Sequence, residues 1–122
     1  MKRLSTILAT AILLGSAPSA LPQSGLRQVP LGFCTLNNMV GAAPLSVCNA
    51  GAGVPGGTTY AVICAYVQGV VWRDDGQQPT STPGAGGQGI GANQCIGYNG
   101  TFSALLFIQQ NGGAILGVSF YR

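Results

Sequence analysis

The alternation of apolar and polar positions predicts strands, and the clearest case is residues 58–73. This run, TTYAVICAYVQGVVWR, is sixteen residues long and rich in β-branched and aromatic side chains. Such side chains pack well on a pleated sheet and are crowded in a helix, which favours a strand over the competing interpretation, a buried helix. Apolar residues at both odd and even positions predict a central strand covered on both faces. Because the run exceeds a usual strand, we expect a bulge or bend at Gly69 to divide it.

The C-terminal third contains two more strand-like runs, TFSALLFIQQ and AILGVSFYR, joined at Asn111, Gly112 and Gly113. Asn-Gly is the strongest short-range hairpin signal, because both residues tolerate the positive φ angles of a two-residue turn. We therefore predict a hairpin whose final strand, ending at Arg122, leaves an exposed edge for pairing. Period-two spacing places these side chains on one face of each run: Phe102, Ala104, Leu106 and Ile108 in the first, and Ala114, Leu116, Val118 and Phe120 in the second.

Turn-forming residues divide the remaining sequence into short segments. Residues 17–30 are typical of an irregular arm, LGFCTLNNM indicates a short strand, and the glycine- and proline-rich stretch 40–57 indicates a loop with one short strand around residues 45–48. Residues 76–94 have turn composition throughout and predict a flexible loop, followed by a short strand at CIGY. A total of about six to seven strands predicts an all-β protein, a small antiparallel β-sandwich or barrel.

Charge is scarce, since only 6% of the 122 residues are charged and the chain has no histidine and no glutamate. The commonest general base and the commonest metal ligand are therefore missing from the sequence. Beyond the first twenty residues, three arginines stand against two aspartates, a net charge of +1 (3 − 2). No basic stripe is available to neutralise phosphates, which argues against nucleic-acid binding. We expect a non-enzymatic protein without a cofactor or a metal.

The N-terminus has the pattern of a secretory signal peptide. Lys2 and Arg3 form a positive start, an apolar run follows, and small residues come after it. The apolar run is too short for a stable membrane anchor, so any membrane contact is expected through the leader alone. Cleavage after Ser19 fits the small-residue rule better than cleavage after Ala20, and the alternative is an uncleaved apolar leader. The predicted divisions are a leader at 1–20, an irregular, loop-rich part at 21–57 and a β core at 58–122.

Four cysteines agree with export to a periplasmic or extracellular location. They allow three disulfide pairings, and the sequence alone does not choose among them, although local closure favours Cys34–Cys48 with Cys64–Cys95. Disulfides are expected in an oxidising compartment, and free buried thiols are the alternative. A metal site is disfavoured, because there is no CxxC pair and no histidine.

The segment VVWRDDGQQPT contains Trp72, Arg73, Asp74, Asp75 and Gly76, which include most of the charge beyond the leader. Neighbouring side chains on a strand point to opposite faces, so the two aspartates are not expected to form a close catalytic pair. Aspartates suit the early positions of a turn, and glycine suits its left-handed position. We predict a structural turn in which the arginine bonds the aspartates or their backbone. Contact with a ligand or partner is the second interpretation.

Two stretches resemble a known group of proteins. TTYAVICAYVQGVVWRDDGQQPT and the later SALLFIQQNGGAILGVSFYR are similar to short β-rich proteins of tailed phages and prophages. Those proteins have the pattern ATYA…(Y/W)RDDG…PT, then a glycine-bearing loop, then LSALRFI…SGA…LNVSFYR. The resemblance covers about residues 58–122 and implies a virion or virion-associated structural component with no assigned catalytic residues. The leader and the cysteines depart from that pattern, because virion components normally assemble in the reducing cytoplasm.

Two hypotheses about function follow. The first is a non-enzymatic structural or interaction protein, phage- or prophage-derived, whose partners are identical copies or other virion subunits. The second is a secreted, disulfide-stabilised binding module for carbohydrate or cell-surface ligands. In the second hypothesis an exposed row of aromatic side chains would stack on the ligand, whereas core packing is the competing interpretation of those side chains. The candidates are Tyr60, Tyr66, Trp72 and Tyr98.

Overall fold

The structure is a computed structural model that describes residues 28–122. The predicted leader and its cleavage site lie outside the described residues. Eight strands form the described part, together with two 3-10 turns at Leu45–Val47 and Phe102–Ala104 and a turn at Cys48–Gly51 in which Asn49 and Ala50 have positive φ. The strands are β1 (Pro30–Asn37), β2 (Ala43–Pro44), β3 (Tyr60–Tyr66), β4 (Val70–Arg73), β5 (Gln88–Ile90), β6 (Gln94–Tyr98), β7 (Leu106–Gln109) and β8 (Ile115–Tyr121).

The strands form two four-stranded antiparallel sheets that pack face to face. Sheet A has the order β1-β8-β3-β6, and sheet B has the order β2-β7-β4-β5. The prediction of a small all-β sandwich is confirmed, with eight strands rather than six or seven. The additional strands are β2 and β5, which are only two and three residues long. β5 lies inside the segment that was predicted to be loop throughout, because it pairs with β4 over Val70 to Trp72.

The long run at residues 58–73 is divided, as predicted, but its two halves lie in different sheets. β3 is central in sheet A, between β8 and β6, whereas β4 is central in sheet B. Between them, Gln68 N–H donates to the carbonyl of Tyr66 at 2.8 Å around Val67, whose φ is +71°. This is a γ-turn of the rare positive-φ kind, which reverses the chain within three residues. The break therefore begins at Val67, two residues before Gly69.

Only one face of β3 is buried, so the prediction of burial on both faces is wrong. Ala61, Ile63 and Ala65 are fully buried, whereas Tyr60 and Tyr66 alternate with them and are partly exposed. A sandwich has two layers, and each sheet therefore turns one face to the core and the other to solvent. The apolar side chains on the second face of β3 lie on the outer surface of sheet A.

The predicted hairpin at Asn111, Gly112 and Gly113 is wrong. β7 belongs to sheet B and β8 to sheet A, so the segment between them is an arch that crosses from one sheet to the other. Among these three residues only Gly113 has a positive φ, at +90°, whereas the expected hairpin turn needs two in succession. The reason is long-range pairing, because β8 pairs along its length with both β1 and β3.

The same arrangement corrects two further expectations. β8 is a central strand, so the chain does not end on an exposed sheet edge; the long edge strand of sheet A is β1. In the run before the arch, Phe102–Ala104 forms a helical turn instead of strand, and the fully buried side chains are Leu105 and Phe107. The predicted face of the last run is confirmed, since all four of its residues are buried: Ala114, Leu116, Val118 and Phe120.

The core lies between the two sheets and is made of apolar side chains. None of the described residues that are buried is polar or charged. Sheet A contributes Ile63, Leu116, Val118 and Phe120, and sheet B contributes Phe107 among others. Burial of these side chains, at roughly 25 cal/mol per Å² of apolar area, is the main favourable term for this fold.

Candidate functional site

The predicted turn at the end of β4 is present, and Arg73 and Asp75 hold it together. We call residues Arg73 to Gly76 the RDDG corner. Arg73 Nε donates to Asp75 Oδ1 at 2.9 Å, and Nη2 donates to Oδ2, so the pair is bidentate. The backbone N–H of Gln77 donates to Asp75 Oδ1 at 3.1 Å, and Gly76 follows with a φ of +76°. The left-handed glycine and the arginine–aspartate bond are therefore as predicted.

Asp74, which is exposed, makes a separate contact. The hydroxyl of Tyr98 donates to Asp74 Oδ2 at 3.2 Å and also lies 3.3 Å from the carbonyl oxygen of Thr101. Tyr98 ends β6 of sheet A, and Asp74 follows β4 of sheet B, so this bond links the two sheets at one end of the sandwich. The two aspartates lie in the turn after β4 and have different hydrogen-bond partners, so they do not act as a pair.

The pKa values of Arg73, Asp75 and Tyr98 are shifted away from neutral pH. The hydrogen bond from Arg73 lowers the pKa of Asp75 to about 2, and the same bond raises the pKa of Arg73. Burial, and then the nearby Asp74 carboxylate, raises the pKa of Tyr98. At pH 7 the first two groups are therefore charged and the tyrosine is protonated. A general base works best with a pKa near the operating pH, and these shifts move away from it.

The aromatic side chains beside this corner pack against one another. The rings of Trp72 and Tyr98 lie 5.8 Å apart in an edge-to-face arrangement, and those of Tyr98 and Phe102 lie 5.4 Å apart. Tyr98 is buried and Trp72 is half-buried, whereas Tyr60 and Tyr66 lie on the outer face of sheet A. The four aromatics singled out from the sequence therefore do not form one exposed row.

A cleft of about 630 Å³ opens at the same corner. One wall is the segment from Trp72 to Asp75, and the other is formed by Gly84 and Ala85 together with Gly87, Gln88 and Gly89. The second wall comes from the loop between β4 and β5, which folds back onto sheet B. Gly87 lies so close that a Cβ there would be 2.6 Å from the carbonyl oxygen of Trp72, at a φ of +142°. Only glycine fits this position, and the cleft depends on it.

The outer face of sheet A is a second candidate surface. The rings of Phe33 and Tyr66 converge on Gly117 of β8, at 3.2 and 3.0 Å from where a Cβ would lie. Tyr60 and Tyr121 lie on the same face, with their ring centroids 6.2 Å apart. We call these four residues the aromatic face. Phe33 is 57% exposed and Tyr66 is 42% exposed, and the four strands of sheet A contain no charged residue.

Phe33 was not among the sequence-predicted site residues. The signal that identifies it is its position next to Cys34, which is buried in the core. On a strand the neighbour of an inward side chain points outward, so a phenylalanine beside a core cysteine is expected on the surface.

Both disulfide bonds favoured by local closure are present, Cys34–Cys48 and Cys64–Cys95. The first is buried and ties β1 to the turn at Cys48–Gly51. The second joins directly opposed residues of β3 and β6, with Cα atoms 4.0 Å apart, and lies on the outer face of sheet A. No described cysteine is free.

Two kinds of feature are absent from the part of the chain that the structure describes. No group of three or more histidine, cysteine, aspartate or glutamate side chains is placed to hold a metal ion. No helix among residues 28–122 has the length and apolar character needed to cross a membrane.

Comparison with protein-family models, with curated proteins and with solved structures gives no match to this chain.

Proposed function

We propose that the protein is a non-enzymatic assembly module, a β-sandwich that associates with further protein subunits through sheet A. The observation that carries the proposal is the combination of the aromatic face with the edge strand β1. Phe33 belongs to both, because it lies near the middle of β1 and is the most exposed ring of the face. The expected partner is a second copy of the chain.

The edge strand supports pairing with another subunit. β1 has eight residues, and its second edge is not paired with any other described strand. In an antiparallel ladder alternate residues direct their N–H and C=O groups away from the partner, so an edge strand offers these groups to another chain. Natural edge strands are commonly protected by lysine, by an internal proline or by very short length. β1 has no lysine and no charge, and its one proline is its first residue.

The aromatic face supports the same association. Exposed apolar surface of this kind is uncommon on isolated soluble domains and is enriched at protein contacts. Antiparallel pairing of two β1 strands would bring the two Phe33 side chains to one outer surface, where aromatic cross-strand pairs stabilise a sheet. The uncharged strands of sheet A impose no electrostatic repulsion between two copies.

The contacts that the charged side chains make with one another and with Tyr98 support the non-enzymatic part of the proposal. Arg73 and Asp75 neutralise each other, and Asp74 bonds Tyr98. These contacts stabilise the corner, and their pKa shifts are opposite to those that general acid–base chemistry needs.

Phage or prophage origin and virion association are supported by the resemblance over about residues 58–122, which includes β3, β8 and the RDDG corner. The two disulfides are consistent with an oxidising compartment and therefore support export to the periplasm or cell surface. We propose a phage- or prophage-derived subunit that is exported to the periplasm or cell surface, with the virion as the alternative location. Mass spectrometry of gradient-purified particles would find the protein as a stoichiometric component, and its recovery only in the particle-free fraction would contradict virion association.

Sedimentation velocity of the oxidised protein tests the association itself. The wild type is expected to form dimers or larger species as its concentration rises, and Phe33→Ser is expected to shift it to monomer. Val40→Ser is the matched control, because Val40 is 75% exposed but lies in the connection after β1, outside sheet A. A wild type that stays monomeric, or an equal loss of association in both variants, would refute the proposal.

A further inference from the structure

The cleft at the RDDG corner is not used by the proposed assembly function. It lies at the end of β4 in sheet B, whereas the aromatic face and β1 belong to sheet A. Its volume of about 630 Å³ falls within the range of small-molecule sites, roughly 300–1,000 Å³. The chain's single tryptophan, Trp72, lines it. We propose that this cleft binds a neutral saccharide.

Two polar side chains of the cleft have hydrogen-bonding groups that no described residue uses. Asp74 Oδ2 accepts from Tyr98, while Oδ1 has no hydrogen-bond partner among the described residues. Gln88 is exposed at the opposite wall, and its side-chain amide likewise has no partner in the described part of the chain. An acceptor on one side and an amide, which both donates and accepts, on the other suit hydroxyl groups.

Charge balance in the cleft favours a neutral ligand over an ion. The carboxylate of Asp75 is occupied by Arg73 and by the backbone of Gln77. The ion pair therefore contributes almost no net charge, and the remaining charge is the single Asp74 carboxylate. An anion would be repelled by Asp74, and a cation would gain little, because an ion pair with this exposed carboxylate is screened by water. A sugar hydroxyl can donate to the carboxylate in a hydrogen bond and needs no charge of its own.

The glycine-rich wall and the tryptophan determine the shape of the ligand that the cleft can accept. Gly84 has no atom within 4 Å of where a Cβ would lie, which leaves its backbone open to close approach by a ligand, whereas Gly87 and Gly89 pack against Trp72 and Pro83. Trp72, whose ring packs edge-to-face on Tyr98, also lines the cleft, and sugars have apolar C–H faces that pack on aromatic side chains. An uncharged polyol with one apolar face matches this combination.

Trp72 makes the test direct, because it is the only tryptophan and lines the cleft. The fluorescence of the full, oxidised protein would be titrated with glucose, galactose, mannose, N-acetylglucosamine and their β-linked disaccharides. At least one is expected to give a saturable change. Amide chemical-shift changes are expected to map to residues 72–76 and 84–89 and to spare sheet A.

Asp74→Asn is the discriminating variant. An asparagine can still accept from Tyr98 through its carbonyl, but it replaces the second carboxylate oxygen by an amide donor. Loss of a charge-assisted bond predicts affinity weaker by about tenfold or more. Phe33→Ser is the control, because its side chain lies on the other sheet, and it is expected to bind like the wild type.

Gln88→Ala serves as a second variant, because its exposed side chain has no partner to lose, and it is expected to weaken binding without changing the melting temperature. The proposal is overturned if no saccharide of the panel gives a saturable response. It is equally overturned if the shifts map to sheet A, if Asp74→Asn and Gln88→Ala both bind normally, or if lysine- or arginine-containing peptides bind in preference to the sugars.

Discussion

The outer faces of the two sheets differ in how they are covered. On sheet B the loop between β4 and β5 folds back over the surface, and Val71, which points away from the main core, is fully buried. Pro79 and Gly86 of that loop are buried as well. On sheet A no described segment covers the aromatic face, and Phe33 is 57% exposed. Among residues 28–122, sheet B is therefore covered by the chain's own loop, and the outer face of sheet A is open to solvent.

Chain connectivity explains the difference. Within residues 28–122 the β4–β5 connection is the one link between strands of the same sheet, and its residues 74–87 are enough to return across sheet B. No connection in this part of the chain joins two strands of sheet A directly, so no intrasheet loop there covers its outer face. An uncovered apolar face is costly in water unless another molecule covers it, and this cost is the physical basis of the proposed assembly function.

The largest expected effect is the loss of stability when either of the two disulfides anchored in sheet A is removed. Replacing Cys34 and Cys48 together by alanine removes a crosslink with a sequence separation of 14, and replacing Cys64 and Cys95 removes one of 31. Chain entropy alone gives about 3 and about 3.7 kcal/mol. The first pair is also buried in the core, and the cavities it leaves raise the expected loss to about 4–5 kcal/mol.

Urea unfolding of the two double variants measures this ranking. If the pair on the outer face proves the more stabilising, the buried disulfide is not an integral part of the core.

The next largest effect is expected when the packing of the β4–β5 loop on sheet B is disrupted. Gly87→Ala places a methyl group 2.6 Å from the backbone carbonyl of Trp72 at a strongly positive φ. Because the obstacle is backbone, it cannot rotate away, and we expect a loss of about 3 kcal/mol. Gly112→Ala is the control, since a Cβ there meets no atom within 4 Å and its φ is not positive. Equal melting temperatures for the two variants would contradict the description of the loop as a fixed cover.

The smallest effect concerns the hydrogen bond from Tyr98 of sheet A to Asp74, which follows β4 of sheet B. Tyr98→Phe removes the hydroxyl that bonds Asp74 and Thr101, and we expect a loss of about 1 kcal/mol at neutral pH. The pKa of Tyr98 is raised in the folded protein. Its contribution is therefore complete below the unfolded value, near 10, and is lost as the pH rises through the folded pKa.

The stability of the phenylalanine variant is accordingly expected to fall less steeply above about pH 10 than that of the wild type. Tyr66→Phe is the control, because Tyr66 has no side-chain hydrogen bond among the described residues and is partly exposed. Parallel alkaline profiles for the wild type and Tyr98→Phe would contradict the assigned role of the hydroxyl.

Local features of the sequence predicted local features of the structure. The turn at Arg73 to Gly76 followed from side-chain and glycine preferences that act within four residues, and the disulfides followed from short chain separation. The Asn-Gly signal failed because sheet membership depends on pairing with strands far away in the sequence. Once β8 pairs with β1 and β3, β7 lies in the other sheet whatever the turn prefers.

The candidate surfaces were predictable only in part, for the same reason. Asp74 and Trp72 were singled out from the sequence, but they form only one wall of the cleft. The other wall comes from residues 84–89, and no local sequence pattern indicates that this segment returns to β4. Phe33 required knowledge of which strand lies at an edge and which face is covered.

Amide hydrogen exchange of β1 as a function of protein concentration tests the central claim most directly. Alternate amides of this strand do not bond to β8 and are expected to exchange quickly in the dilute protein. We predict that their protection rises with concentration in the wild type and in Val40→Ser, and stays low in Phe33→Ser. Association that leaves these β1 amides unprotected, or protection that does not depend on concentration, would contradict assembly through the edge and outer face of sheet A.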